Sequence, residues 1–220
     1  MKAAKNIVIF TGGSYGAPDF YRAVLKEQPA DQIIAADKGA EMAHRLGLVP
    51  DVLVGDFDSA DPAVIQALVD QGVPVERHPV RKNQTDTELA VSVALSGSAA
   101  SVILFGAMGS RLDHVIGSID TLISIEAAGA IGWLVDPHNR LRLLTGPGRW
   151  PLALAPGTTV SLIPWCGSAG PVNLAGFDYP LKEAMLTPET AGRTLSNVAA
   201  EGEQCITVGK GRVLLDIVSE

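Results

Sequence analysis

The sequence predicts an α/β N-terminal domain built on a mostly parallel sheet, followed by an all-β C-terminal domain. Two observations carry this. Up to about Pro137, short apolar runs alternate with segments of helical period, the pattern of a parallel sheet covered on both faces. Beyond it the helical segments stop, and short strand-like runs broken by Gly and Pro follow one another, as in a sandwich or small barrel. The expected domains are residues 1–137 and 138–220.

In chain order, the strands of the first domain are "NIVIF" ending at "TGG", "QIIAA" ending at "DKG", "DVLV" ending at "GDFDS", "VPVER", "SVILFG" ending at "AMGSR", and "IGWLVD". Three helices stand out between them. One starts at Pro62, after Asp61, with Val64, Ile65, Leu68 and Val69 on one stripe. The next follows Thr85, with Glu88 at capping-box spacing, and stops at Gly97. The third follows Ser110, and its apolar face is Leu112, Val115, Ile116, Ile119, Leu122 and Ile123. In the second domain "RLRLL", "WPLAL", "TTVSLIPW", "GPVNLAGF", "QCITVG" and "RVLLDIV" read as strands, and "PLKEAML" as a turn.

Composition narrows the function classes. With 47% hydrophobic and 19% charged residues, the chain suits a packed globular core. Its net charge of −7, with no basic run or stripe, argues against a nucleic-acid partner held through phosphates. No apolar run is long enough to span a membrane. The N-terminal "MKAAKNIVIFTGG" carries two lysines, but its apolar run is short and ends in a glycine turn. It reads as a first strand rather than a signal segment, and the expected location is cytoplasmic. Cys166 and Cys205 lie far apart, without metal-ligand spacing, and are expected as reduced thiols.

Acidic residues recur where the first-domain strands end. Asp37 follows "IIAA", Asp56 and Asp58 follow "VLVG", Asp86 opens a helix, and Asp113 lies in the first turn of another. Ligands of open α/β sheets bind outside the carboxyl ends of the strands, and all five acids leave from that edge. Each has a local alternative. Asp86 and Asp113 suit helix starts, Asp37 suits an ordinary turn, and Asp58 or Ser59 can help to begin the next helix. Together they fit a metal-phosphate site. Mg²⁺ takes one or two carboxylates plus substrate phosphates, and it relieves the repulsion between Asp56 and Asp58. Gly55 lets the backbone come close. Arg81, Lys82 and Arg111 are nearby cations for phosphate oxygens. The "TGGSYG" loop at residues 11–16 is neither a P-loop nor a GxGxxG turn, yet Gly12 and Gly13 can present backbone N–H groups to a nucleotide.

In this order, "AADKGAEMAHRLGLVPDVLVGDFDS", "KNQTDTELAV" and "GAMGSRLDH" closely resemble bacterial thiamine pyrophosphokinases. A shorter echo, "TLSN", resembles that family's thiamine-binding end. The resemblance implies a Rossmann-like N-terminal α/β domain for the nucleotide and a C-terminal β-sandwich for thiamine binding and dimerisation. It implies Mg²⁺-dependent transfer of diphosphate from ATP to thiamine, and a homodimer. Carried over residue by residue, Asp56, Asp58 and Asp86 are the catalytic and metal-binding acids. Gly12, Gly13, Asp37, Gly39, Lys82, Arg111, Asp113 and His114 belong to the nucleotide. Gln84, Thr85, Ser196 and Asn197 belong to thiamine. No aromatic ring follows "SN" to stack on the pyrimidine. The other readings are a diphosphokinase for another hydroxymethyl heterocycle, such as a pterin, and a nucleotide- or thiamine-binding regulator without turnover.

Overall fold

The computed structural model describes residues 4–77 and 84–219. The chain divides into two compact units, Met1–Pro137 and His138–Glu220.

Unit 1 runs β1 (Lys5–Phe10), α1 (Pro18–Glu27), β2 (Gln32–Ala36), α2 (Gly39–Arg45), β3 (Val52–Gly55), α3 (Pro62–Asp70), β4 (Val75–Arg77), α4 (Asp86–Leu95), β5 (Ala99–Phe105), α5 (Leu112–Ala127) and β6 (Ile131–Val135). Its strands lie in the order β6-β5-β1-β2-β3-β4, and every pairing is parallel. The central strands are buried on both faces, which explains why their sequences are continuous apolar runs. On one face Val8, Phe10 and Phe105 pack with Tyr21 and Val24 of α1 and Met42 and Ala43 of α2. Ile65 and Leu68 of α3 pack against Ala35 and Leu53. After β4 the chain crosses back to the far side of β1. The strand order therefore reverses between β1 and β5, and a crevice opens where their loops diverge.

Two helix starts follow their sequence signals. The Asp61 carboxylate accepts from Ala63 N–H at 2.9 Å, and Pro62 takes the first helical position of α3. At α4, Thr85 Oγ1 accepts from Glu88 N–H, and the Glu88 carboxylate accepts from Thr85 N–H at 2.7 Å, a complete capping box. Helix α5 departs from expectation. Arg111, not Ser110, is its N-cap residue and makes no side-chain cap. Leu112 is 70% exposed and Ile116 44%, while the buried face is Ser118, Ile119, Thr121, Leu122 and Ile125. The start of the apolar stripe extends beyond what unit 1 covers. Helices α1 and α2 were not expected. α1 has Pro18 at its first position, and α2 is only 7 residues long without a side-chain cap.

Unit 2 holds β7 (Asn139–Thr145), β8 (Gly148–Leu152), β9 (Thr159–Trp165), β10 (Ala169–Ala175), β11 (Leu181–Leu186), β12 (Asn197–Val198), β13 (Gln204–Val208) and β14 (Arg212–Val218), with a 3-10 turn at Pro188–Thr194. They form two antiparallel layers, β12-β9-β14-β7 and β11-β10-β13-β8. Leu144, Val160, Leu162, Val213 and Leu215 meet Val172, Leu174, Leu186, Ile206 and Val208 in one core. This is the expected all-β sandwich. "PLKEAML" corrects the reading of a turn. It supplies β11, because pairing with β10 outweighs the helix preference of Lys, Glu, Ala, Met and Leu. Cys166 and Cys205 are both free thiols. Among the described residues no helix is long and apolar enough to cross a membrane.

The capping box gives a simple check. Thr85→Ala should lower the unfolding free energy by about 1 kcal/mol, read from the urea midpoint of the far-UV circular dichroism transition.

Candidate active site

The glycine loop of residues 11–16 leaves the end of β1 beside the loop that leaves β5. Thr11 N–H and Oγ1–H both donate to Phe105 C=O, at 2.9 and 3.0 Å. The half-buried Tyr15 donates its hydroxyl to Thr11 C=O at 2.6 Å. A Cβ on Gly13 would stand 2.0 Å from Gly106 C=O, so a residue without a side chain is required there. The two loops form one wall of a cavity of about 460 Å³ at the reversal of strand order. Its lining also takes in Asp37, Lys38, Ser59, Thr85, Asp86, Arg111 and His114.

The acids converge beside it. Asp37 adopts a left-handed backbone (φ 47°), a conformation that Asp tolerates, and its N–H donates to Val54 C=O across the neighbouring strand. Its Oδ2 accepts from the Ser59 hydroxyl, while its Oδ1 is buried without a hydrogen-bond partner. Asp58 N–H donates to Asp56 Oδ1 at 3.1 Å, which curls the turn after β3. Oxygens of Asp37, Asp56 and Asp58 lie within 4.8 Å of one another, a set able to hold a divalent cation. Asp56 and Asp58 are not in the cavity wall and adjoin it through Asp37, which belongs to both groups. The Asp56 carboxylate, then desolvation, then Asp37 push the Asp58 pKa above the usual aspartate value, and Asp86 adds to this. Asp86 lies outside that group and comes close to Gly55. A Cβ on that glycine (φ 133°) would sit 2.9 Å from Asp86 Oδ1.

At the start of α5, Arg111 is held by a fork. Its Nε donates to Asp113 Oδ1 at 3.2 Å and its Nη2 to Oδ2 at 2.6 Å. The hydrogen bonds from Arg111 hold the Asp113 carboxyl below its ordinary value, and the same bonds raise Arg111. Both side chains are exposed, so the pair presents the guanidinium rather than stabilising the fold.

The structure thus gathers Gly12, Gly13, Asp37, Thr85, Asp86, Arg111 and His114 around one cavity, with Asp56 and Asp58 adjoining. Asp113 acts on Arg111 from outside the lining. Gln84 precedes the α4 cap and is exposed. Gly39 is buried against the end of β1 rather than in the cavity wall. Arg81 and Lys82 lie outside the described residues. Ser196 and Asn197 belong to unit 2. Ser196 has a left-handed backbone (φ 54°), and its N–H donates to Ser161 Oγ. Asn197 is 6% exposed and clamps Tyr179, accepting from its N–H at 3.1 Å and donating to its C=O at 2.7 Å. Lys38 and Ser59 were not among the expected site residues. Lys38 stands next to Asp37 in "ADKGA", and that adjacency was its available signal.

The chain is similar to known proteins in sequence and in fold. The family model described as "Thiamin pyrophosphokinase, catalytic domain" matches residues 25–131. The thiamine pyrophosphokinase of Bacillus subtilis (strain 168) is 27% identical over 185 residues, 83% of this chain and 85% of that protein. The crystal structure of a thiamin pyrophosphokinase from Geobacillus thermodenitrificans aligns at a TM-score of 0.81 and 26% identity, covering 98% of each chain. A thiamine pyrophosphokinase structure from Bacillus subtilis aligns at a TM-score of 0.86, covering 98% of this chain and 100% of that one. At 24% identity this is a likeness of fold.

The crowded acids should be visible in thermal melts. Because the folded-state pKa of Asp58 is raised, its contribution to stability is full below the unfolded pKa and is lost as pH rises through the folded one. In chelator, Asp58→Asn should therefore melt higher than the parent, with a larger gain at about pH 7 than at about pH 4. Added Mg²⁺ should raise the melting temperature of the parent more than that of the variant. Equal shifts in both proteins would remove Asp58 from the cation group.

Proposed function

We propose, from this likeness to thiamine pyrophosphokinases, that the chain is a member of that family and transfers diphosphate from ATP to the hydroxyethyl oxygen of thiamine, releasing AMP. The observation that carries this reading is the meeting of the Asp37, Asp56 and Asp58 oxygens within 4.8 Å beside a glycine-lined cavity. Such a site suits phosphoryl-type transfer, which relies on positioning and charge neutralisation more than on a strong base.

Mg²⁺ fits these residues. Every donor is a hard carboxylate oxygen, and the buried Asp37 Oδ1 has no hydrogen-bond partner among the described residues. Asp56, Asp58 and Asp86 would hold it, with Asp37 joining them, and bound there it would offset phosphate charge at the reacting phosphorus. The chain's own groups supply the rest. Backbone N–H groups at Gly12 and Gly13 face phosphate oxygens. Asp113 fixes the Arg111 guanidinium in a plane, leaving its remaining N–H groups for the nucleotide. His114 adds a further contact at the same wall. Asp86 accepts the proton of the thiamine hydroxyl as that oxygen attacks the β-phosphorus in line and AMP leaves. Gln84 and Thr85 line the acceptor side. Ser196 meets thiamine directly, whereas Asn197, whose amide is occupied by Tyr179, fixes the segment that presents it. A homodimer belongs to the same reading, and the exposed Tyr179, Met185 and Leu195 of unit 2 offer apolar surface for it.

Two measurements test this. AMP should form from ATP only when thiamine is present, and a chelator should stop it. AMP formed equally without thiamine, or with a hydroxymethylpterin in its place, would overturn the acceptor. Asp56→Asn should lower kcat by about 100-fold or more without lowering the melting temperature, and near-parental turnover would remove the metal assignment.

A further inference from the structure

The cavity wall of unit 1 carries two carboxylates, Asp37 and Asp86, and among the described residues two full cations, Lys38 and Arg111. The two cations differ in state. The Arg111 guanidinium is committed to both oxygens of Asp113. The Lys38 ammonium makes no hydrogen bond or ion pair with any described residue. Outside the described set, residues 1–3 and 78–83 contain no Asp or Glu, and the one acidic residue is Glu220 at the far end of the sequence.

The position of Lys38 is equally specific. It follows Asp37 at the end of β2, and its Cβ lies 3.6 Å from where a Cβ on Gly12 would be. Its side chain thus departs between the glycine loop and the acids. It is also the N-cap residue of α2, where it makes no side-chain cap. Ser, Thr, Asp or Asn would satisfy an orphan N–H there, and a cation opposes the positive end of the helix dipole. A residue that works against its own helix while facing a cavity points to a use in that cavity.

We propose that Lys38 is a substrate-contacting residue whose ammonium bonds phosphate oxygens of the bound nucleotide on the glycine-loop side of the cavity. This rests on the diphosphate-transfer reading above. Polyphosphate brought beside carboxylates needs compensating charge on its other flank, and Lys38 supplies it as an adaptable point charge.

The experiment is calorimetric titration of a non-hydrolysable ATP analogue with Mg²⁺ into the parent, Lys38→Met and Lys38→Arg, with melting curves of all three. Lys38→Met keeps the apolar stem and should weaken the affinity about tenfold. Its melting temperature should equal or exceed that of the parent, because the conflict with the α2 dipole is relieved. Lys38→Arg should bind within about threefold of the parent, and Lys38→Met should show a shallower salt dependence of binding than the parent. Unchanged affinity in Lys38→Met overturns the assignment while leaving the proposed function standing. Weakened affinity accompanied by a lowered melting temperature, not restored by arginine, also overturns it in favour of a structural role. A parent that binds no nucleotide sinks the transfer reading itself.

Discussion

Three carboxylates held within 4.8 Å of one another repel, and the hydrogen bonds of unit 1 relieve that only in part. Ser59 donates to one oxygen of Asp37 and a backbone N–H to one oxygen of Asp56, yet Asp37 Oδ1 has no donor. The other features of unit 1 can be read as consequences. Strands β2 and β3 deliver the acids from a sheet buried on both faces, so the repulsion cannot easily push them apart. The two non-glycine residues described at positive φ in unit 1, Asp37 and Phe57, fall in the same place, on either side of the glycine turn at Gly55. A cation placed there would release energy that the fold has stored, which is a reason for it to bind.

The reversal of strand order between β1 and β5 decides where that charge is used. The glycine loop after β1 and the Gly106 loop after β5 diverge there, and Tyr15 ties them together through Thr11 C=O. Arg111 and Lys38 then stand on different elements, α5 and the turn before α2, and each reaches the cavity from its own side. The site is thus assembled from five separate connections, those that follow β1 to β5, none of which carries the chemistry alone.

What the sequence made legible was local. The β2 run "QIIAA", the Asp61-Pro62 start and the Thr85–Glu88 capping box are written within a few residues, and the structure has each of them. What it hid was non-local. Leu112 and Ile116 carry the helical period of α5, yet nothing in their neighbourhood tells that burial begins only at Ser118. "LKEAML" is rich in helix formers, and only its pairing partner β10 makes it a strand. At the site, Asp37, Asp56 and Asp58 were legible because each follows a strand, and Asp86 and Asp113 because each lies at a helix start; the approach of Gly55 to Asp86 was foreshadowed by a glycine before two acids. That Asp37 stands with Asp56 and Asp58, and that Lys38 lines the cavity while Asp56 and Asp58 do not, depends on how adjacent strand ends turn.

The Asn197 clamp has a consequence for the conformational freedom of the "TLSN" segment. Its amide closes on both backbone groups of Tyr179 and on Val198 N–H, all within the folded chain. The left-handed turn at Ser196 is therefore set before anything binds. Conformational entropy that a loose "TLSN" segment would lose on meeting a ligand has already been lost during folding. A ligand that met this segment would need few contacts, because those contacts would not also have to organise the chain that makes them.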